Sequence, residues 1–146
     1  MRVVVDANVC ASAVPGRKGS PAQILDHALG EGPHDFELCA PSQLFPKITD
    51  VLSCPKIAGR LRWDAAEIDA YVRRLRLALS EVDIGNPGKV PPYTINPEDD
   101  PYVRAAVLLD ASYLFSGDEN ILDTEEPPVT VLDSSQFVRL WEAGLL

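Results

Sequence analysis

Histidine and cysteine are scarce in this sequence, and their scarcity removes some kinds of chemistry. There are three cysteines among 146 residues, Cys10, Cys39 and Cys54. They lack CxxC spacing and have no histidine nearby, so they do not make a zinc site. Cys39 sits in the apolar run Phe36–Ala40 and reads as a small buried hydrophobe. The two histidines, His27 and His34, have no catalytic companion. His27 falls in an expected helix and His34 in a loop, and both are read as surface residues. No apolar run approaches the length of a bilayer span. The opening Met-Arg-Val-Val-Val-Asp lacks the apolar stretch and small-residue cleavage site of a signal peptide, so a cytoplasmic protein is expected. Positive charge is also in short supply: 13 Lys and Arg stand against 22 Asp and Glu, for a net charge of -9. Proteins that coat nucleic acid by broad phosphate neutralisation are usually basic, so such a role is disfavoured. An enzyme that gathers its acidity in a metal-binding pocket is not excluded, because a bound cation reverses the local potential.

What is present suits one domain, residues 1–146, with a sizeable core. The hydrophobic share of 46% and charged share of 24% are ordinary for a globular chain. Arg2 to Val5 is a β-branched run of the fully apolar kind found in parallel sheets covered on both faces. Ser20-Pro21 opens a helix carrying Ile24, Leu25, Ala28 and Leu29. Phe36–Ala40 reads as a second strand. Pro41-Ser42 opens a helical stretch with Leu44, Phe45, Ile48, Val51 and Leu52 on one side, and Pro46 is expected to break or restart it. Asp64 caps a helix from Ala65 to about Leu79. Glu81–Ile84, Tyr113–Ser116 and Val129–Leu132 read as further strands, and 86–96, with three prolines, as a loop. Asp99-Asp100-Pro101 begins a helix to about Leu109. Ser134 or Ser135 caps a terminal helix bearing Phe137, Leu140 and Trp141. Strands alternating with helices indicate a three-layer α/β/α fold around a parallel sheet of about five strands.

The carboxylates recur at one kind of place. Asp6 follows the first strand. Asp118 follows the fourth, after Ser116-Gly117. Asp100, with Asp99 beside it, starts the helix that leads into the fourth strand. Ligands of open parallel sheets bind beyond the carboxyl ends of the strands, so Asp6 and Asp118 face one crevice if their strands are neighbours. Clustered carboxylates share protons or hold a divalent cation. Oxygen donors without His or Cys favour Mg²⁺ or Mn²⁺. Such a cation activates water and stabilises a phosphorane-like transition state, as phosphodiester hydrolysis requires. Taken singly, each residue also has a structural role open to it. Asp6, Asp100 and Asp118 could cap helices, Asn8 could serve a turn and Ser116 could end a strand.

Together these segments resemble the PIN-domain family. Val-Val-Val-Asp6-Ala-Asn8-Val is similar to the hydrophobic strand ending in Asp-x-Asn that opens such domains. Asn96-Pro-Glu-Asp99-Asp100-Pro resembles their internal acidic motif, and Ser116-Gly117-Asp118-Glu-Asn120 the strand end followed by Thr/Ser-x-Asp. Val51–Lys56 and Ser135–Leu140 resemble a bacterial branch of toxin–antitoxin toxins. Asp100 and Asp118 lie 18 residues apart, the separation seen in VapC-like members, which favours Asp100 over Asp99. The resemblance implies Asp6, Asp100 and Asp118 as catalytic metal ligands, with Asn8 and Ser116 as polar supports. It implies a Mg²⁺- or Mn²⁺-dependent endoribonuclease held by a small antitoxin. The sequence departs from the pattern at Lys47, where the family's second acid is a glutamate. Asp50, one turn later, could substitute. Asn120 stands where an acid is frequent.

The leading expectation is a metal-dependent ribonuclease toxin. RNA would enter as a single strand or loop, with Arg17, Lys18, Arg73, Arg74 and Arg76 as candidate phosphate contacts, although a solvated helix face explains them equally well. The alternative is a degenerate PIN domain that binds RNA or a protein without cutting, motivated by Lys47 and Asn120. A response-regulator-like domain would need a lysine after a late strand, and none follows Val129–Leu132. A homodimer is expected; Leu75, Leu77, Leu79 and the terminal Trp141–Leu146 segment could serve it, and core packing explains them as well.

Overall fold

The computed structural model describes residues 1–14, 19–30, 35–85, 100–116 and 129–145. Its centre is a five-stranded, all-parallel sheet in the order β3-β2-β1-β4-β5. The strands are β1 (Arg2–Val5), β2 (Glu37–Pro41), β3 (Ser80–Val82), β4 (Tyr113–Phe115) and β5 (Val131–Leu132). Seven helices stand among the described residues: α1 (Ala7–Ser12), α2 (Ser20–Leu29), α3 (Leu44–Ser53), α4 (Pro55–Leu61), α5 (Ala65–Ala78), α6 (Asp100–Leu109) and α7 (Ser134–Glu142). The expected three-layer α/β/α architecture is the one observed.

The strand order follows from the handedness of the connections. From β1 the chain steps outward to β2 and then β3. It then returns past β1 to β4 and continues to β5. Right-handed crossovers in opposite directions put their helices on opposite faces. Helix α6, on the return path, packs against β1, β2 and β4, while α1, α2, α3, α5 and α7 pack against one another. Strand β1 is therefore covered on both faces, and Val3, Val4 and Val5 are all buried. This is why its sequence is continuously apolar rather than alternating.

Several elements differ from their sequence-based expectation. Helix α3 runs unbroken through Pro46 because this proline is its third residue. The N–H groups of a helix's first turn have no intrahelical acceptor, so a proline there removes no bond. Pro41 closes β2 instead of opening the helix. Asp133, not Ser134 or Ser135, caps α7: its side chain accepts from the Gln136 N–H while the Gln136 side chain accepts from the Asp133 N–H. The third strand lies at Ser80–Val82 and the fifth is shortened to Val131–Leu132. Helix α4 was not anticipated, and α1 only as the helix that Asp6 could cap. His27 is half-buried rather than on the surface. Its ring packs against Phe36 and Trp141, and its Nε2 accepts from the Asp35 N–H at 3.1 Å. His34 lies outside the described residues. Of the three leucines considered for a dimer surface, Leu75 and Leu79 belong to the core and only Leu77 is exposed.

The core gathers around Phe137, which is wholly buried and in ring contact with Phe36, Tyr113, Phe115 and Trp141. Replacing it with alanine removes this junction between α7 and the sheet. Phe137→Ala is expected to cost about 3–5 kcal/mol in urea unfolding. Pro46→Ala is expected to change stability by less than about 1 kcal/mol. A proline that broke the helix would instead yield a gain near 3 kcal/mol on replacement.

Candidate functional site

The strand order reverses between β1 and β4, and in open α/β sheets the crevice at such a reversal receives the ligand. Val5 is paired with Phe115 across the two strands, so the next residues, Asp6 and Ser116, leave the sheet side by side. The Asp6 N–H donates to the Phe115 carbonyl at 3.2 Å, and the Ser116 N–H to the Leu132 carbonyl at 3.0 Å. Both residues are thus held by the last rungs of the ladder.

Asp6 caps α1, and its Oδ1 accepts from the Val9 N–H at 2.9 Å. Capping alone does not account for its surroundings. The other Asp caps, at α5 and α7, are exposed or half-buried, whereas Asp6 is only 3% exposed. Its second oxygen, Oδ2, accepts from the fully buried Ser116 hydroxyl at 2.6 Å. Taking a carboxylate out of water is costly unless donors replace the lost hydration, and here a helix start and a second strand both supply one.

Asp100 is the first residue of α6 and is 7% exposed. The far end of α6 lies at the start of β1. There Arg2 Nη1 donates to the Leu109 carbonyl at 3.5 Å, and the Ser112 N–H donates to the Arg2 carbonyl at 2.9 Å. Ten helical residues span about 15 Å, close to the roughly 13 Å of a four-residue strand. Helix α6 therefore begins at the end of the sheet where β1 ends. One turn along α6, the half-buried Arg104 guanidinium pairs with the Asp100 carboxylate. Arg104 was not singled out in the sequence, although its i,i+4 spacing from Asp100 was the available signal.

The other expected site residues are placed as follows. Lys47 is half-buried on α3, which packs against α1, and Asp50 is exposed. Asn8 is exposed on α1. Asp99, Asp118 and Asn120 lie outside the described residues, as do Arg17, Lys18 and Asn96. Among the described residues, no three His, Cys, Asp or Glu side chains are grouped closely enough to hold a metal ion. The buried pair that is present, Asp6 and Asp100, offers hard oxygen donors of the kind Mg²⁺ and Mn²⁺ take. Of the candidate phosphate contacts, Arg73 is paired with Asp69 at 2.8 Å. Arg76 is paired with Glu81 at 3.0 Å and stacks over Phe45. Arg74 is exposed.

Comparisons bear on the fold. No family model matches the sequence, and no curated protein matches it. A solved structure, VapBC2 from Rickettsia felis bound to a DNA fragment from their promoter, aligns with a TM-score of 0.63. The alignment covers 91% of this chain and 98% of that one, at 12% identity. The fold is PIN-like, and at this identity the likeness extends to the fold alone.

The cysteines stay outside the chemistry. Burial pushes the Cys10 thiol far up, with the Asp6 charge adding to it. Burial, then the charge of Glu37, pushes Cys39 up to about 11. Neither supplies a thiolate nucleophile at neutral pH. Only Cys54 is exposed. A disulfide-exchange reagent is expected to titrate one thiol in the native protein and three in denaturant. Fast native reaction at Cys10 would show that the α1 end of the crevice opens.

Proposed function

We propose that this chain is a metal-dependent endoribonuclease of the PIN type and the toxin of a toxin–antitoxin pair. The observation that carries the reading is the buried Asp6 carboxylate at the β1/β4 reversal, held by the Ser116 hydroxyl from the neighbouring strand. Asp100 lies at the same end of the sheet. In this reading Asp6, Asp100 and Asp118 hold the cation. When bound, the cation lowers the pKa of water and offsets charge on the scissile phosphate. The Val9 N–H and Ser116 hydroxyl fix Asp6 in one orientation, so no reorganisation is needed as charge develops. Arg104 adds a fixed positive charge at the same edge. RNA enters as a single strand or loop, whose backbone can bend into an acidic crevice. The likeness to a VapBC2 assembly supports a protein partner, here a small antitoxin, and the toxin is expected to pair with a second copy of itself.

Cleavage of single-stranded RNA in Mn²⁺ tests the proposal. Asp6→Asn and Asp100→Asn are each expected to lower the rate at least about 100-fold, and chelation should abolish it. Equal residual activity in all three proteins would exclude these residues as ligands.

A second reading, binding without cleavage, draws on two observations. Arg104 already neutralises Asp100, and Lys47 stands where the family's pattern has a glutamate. A resident cation of this kind competes with a metal. Calorimetric titration with Mn²⁺ separates the readings: heat abolished by Asp6→Asn supports the nuclease, and no heat in the wild type supports the binding module.

A further inference from the structure

Beside Asp6, along the same edge of the sheet, lies a cleft of about 300 Å³ that the proposed chemistry does not use. Helix α1 lines it with Asn8 and Val9, the start of α2 with Ser20 and Pro21, and the start of α7 with Asp133 and Ser134. Val9 also donates its N–H to Asp6, so one residue of the cleft wall is bonded to that carboxylate.

Two features define what the cleft would accept. Ser134 is only 9% exposed, and its hydroxyl has no hydrogen-bond partner among the described residues. A hydroxyl that has no protein partner and faces a cleft is free to bond whatever enters it, water or ligand. Two helices begin here, which alone would favour an anion. The Asp133 carboxylate, however, already sits at the start of α7 and accepts from the Gln136 N–H. A phosphate would meet this negative charge at close range. The cleft instead suits an uncharged, flat ligand that presents hydrogen-bond donors to Asp133 and acceptors to Ser134 and Asn8. The remaining wall is mostly apolar, as heterocycle sites usually are.

We infer that this cleft is a nucleoside subsite that holds one unstacked RNA base next to the scissile phosphate and prefers guanine. The choice of RNA rests on the ribonuclease reading above. Among the standard bases, guanine presents two adjacent donors, its ring N–H and exocyclic amino group, to a single carboxylate. Its carbonyl and ring nitrogen then face donors such as Ser134 and Asn8. Single-stranded RNA is read in this way, by splaying a base out of its stack and bonding to its edges.

The test is a titration of the metal-free, isotope-labelled protein with each of the four nucleoside 5′-monophosphates, followed by backbone amide NMR. Guanosine monophosphate is expected to shift the amides of residues 8–9, 20 and 133–135, and to bind about tenfold more tightly than the other three. Asp133→Asn should remove that preference and leave thermal stability unchanged, because asparagine caps a helix as well as aspartate. Ser134→Ala should weaken binding of guanosine monophosphate. Equal affinity for all four nucleotides, an unaltered preference in Asp133→Asn, or the same shifts with inorganic phosphate alone would overturn the inference. Because this readout needs no metal and no cleavage, the two proposals fail separately. A protein that cuts RNA without these shifts lacks the subsite. One that shows them without cutting keeps the subsite and loses the nuclease assignment.

Discussion

A serine hydroxyl on one strand holds a buried carboxylate on the next, and most of the molecule is arranged around that contact. Ser116 and Asp6 meet because β1 and β4 are neighbours in register. The strands are neighbours because the chain reverses its direction of travel across the sheet between β3 and β4. The reversal requires α6 on the opposite face from the other main helices, and α6 brings Asp100 to the same end. If β4 paired elsewhere, the buried Asp6 carboxylate would lose the Ser116 hydroxyl.

Charge is handled locally in this acidic chain. The chain carries a net charge of -9, and the two carboxylates that are buried among the described residues each have specific partners. Asp6 has a hydroxyl and a backbone N–H, which are neutral donors. Asp100 has a guanidinium. The difference has chemical consequences, since neutral donors orient a carboxylate without cancelling its charge, whereas Arg104 does both.

The sheet was legible from sequence because its strands are short apolar runs separated by amphipathic stretches. The β-branched Arg2–Val5 run could only suit a strand buried on both faces. The placement of Asp6 and Ser116 at strand ends was equally readable, since it needs only the strand boundaries. What sequence reasoning missed depended on position within a turn of helix. Pro46 was read as a breaker because its distance from the helix start was unknown, and the same one-residue ambiguity hid Asp133 behind Ser134. The Asp100–Arg104 pair was available from spacing alone, but its burial was not. The short helix α1 has too few residues to show a period, so the capping role of Asp6 was only one of several open options.

That dual role of Asp6 has a consequence for how such chains drift over generations. The carboxylate that would hold a ligand also starts α1, and α1 is in turn tied to α5 through the Tyr71 hydroxyl, which donates to the Cys10 carbonyl at 2.7 Å. Selection for a folded chain alone asks only for a capping side chain here, and asparagine or serine serves as well as aspartate. A descendant that changed Asp6 to asparagine would keep the helix start and lose the anion. Ser116 and Arg104 carry the same kind of record, since neither is the capping residue found at α1, α5 or α7.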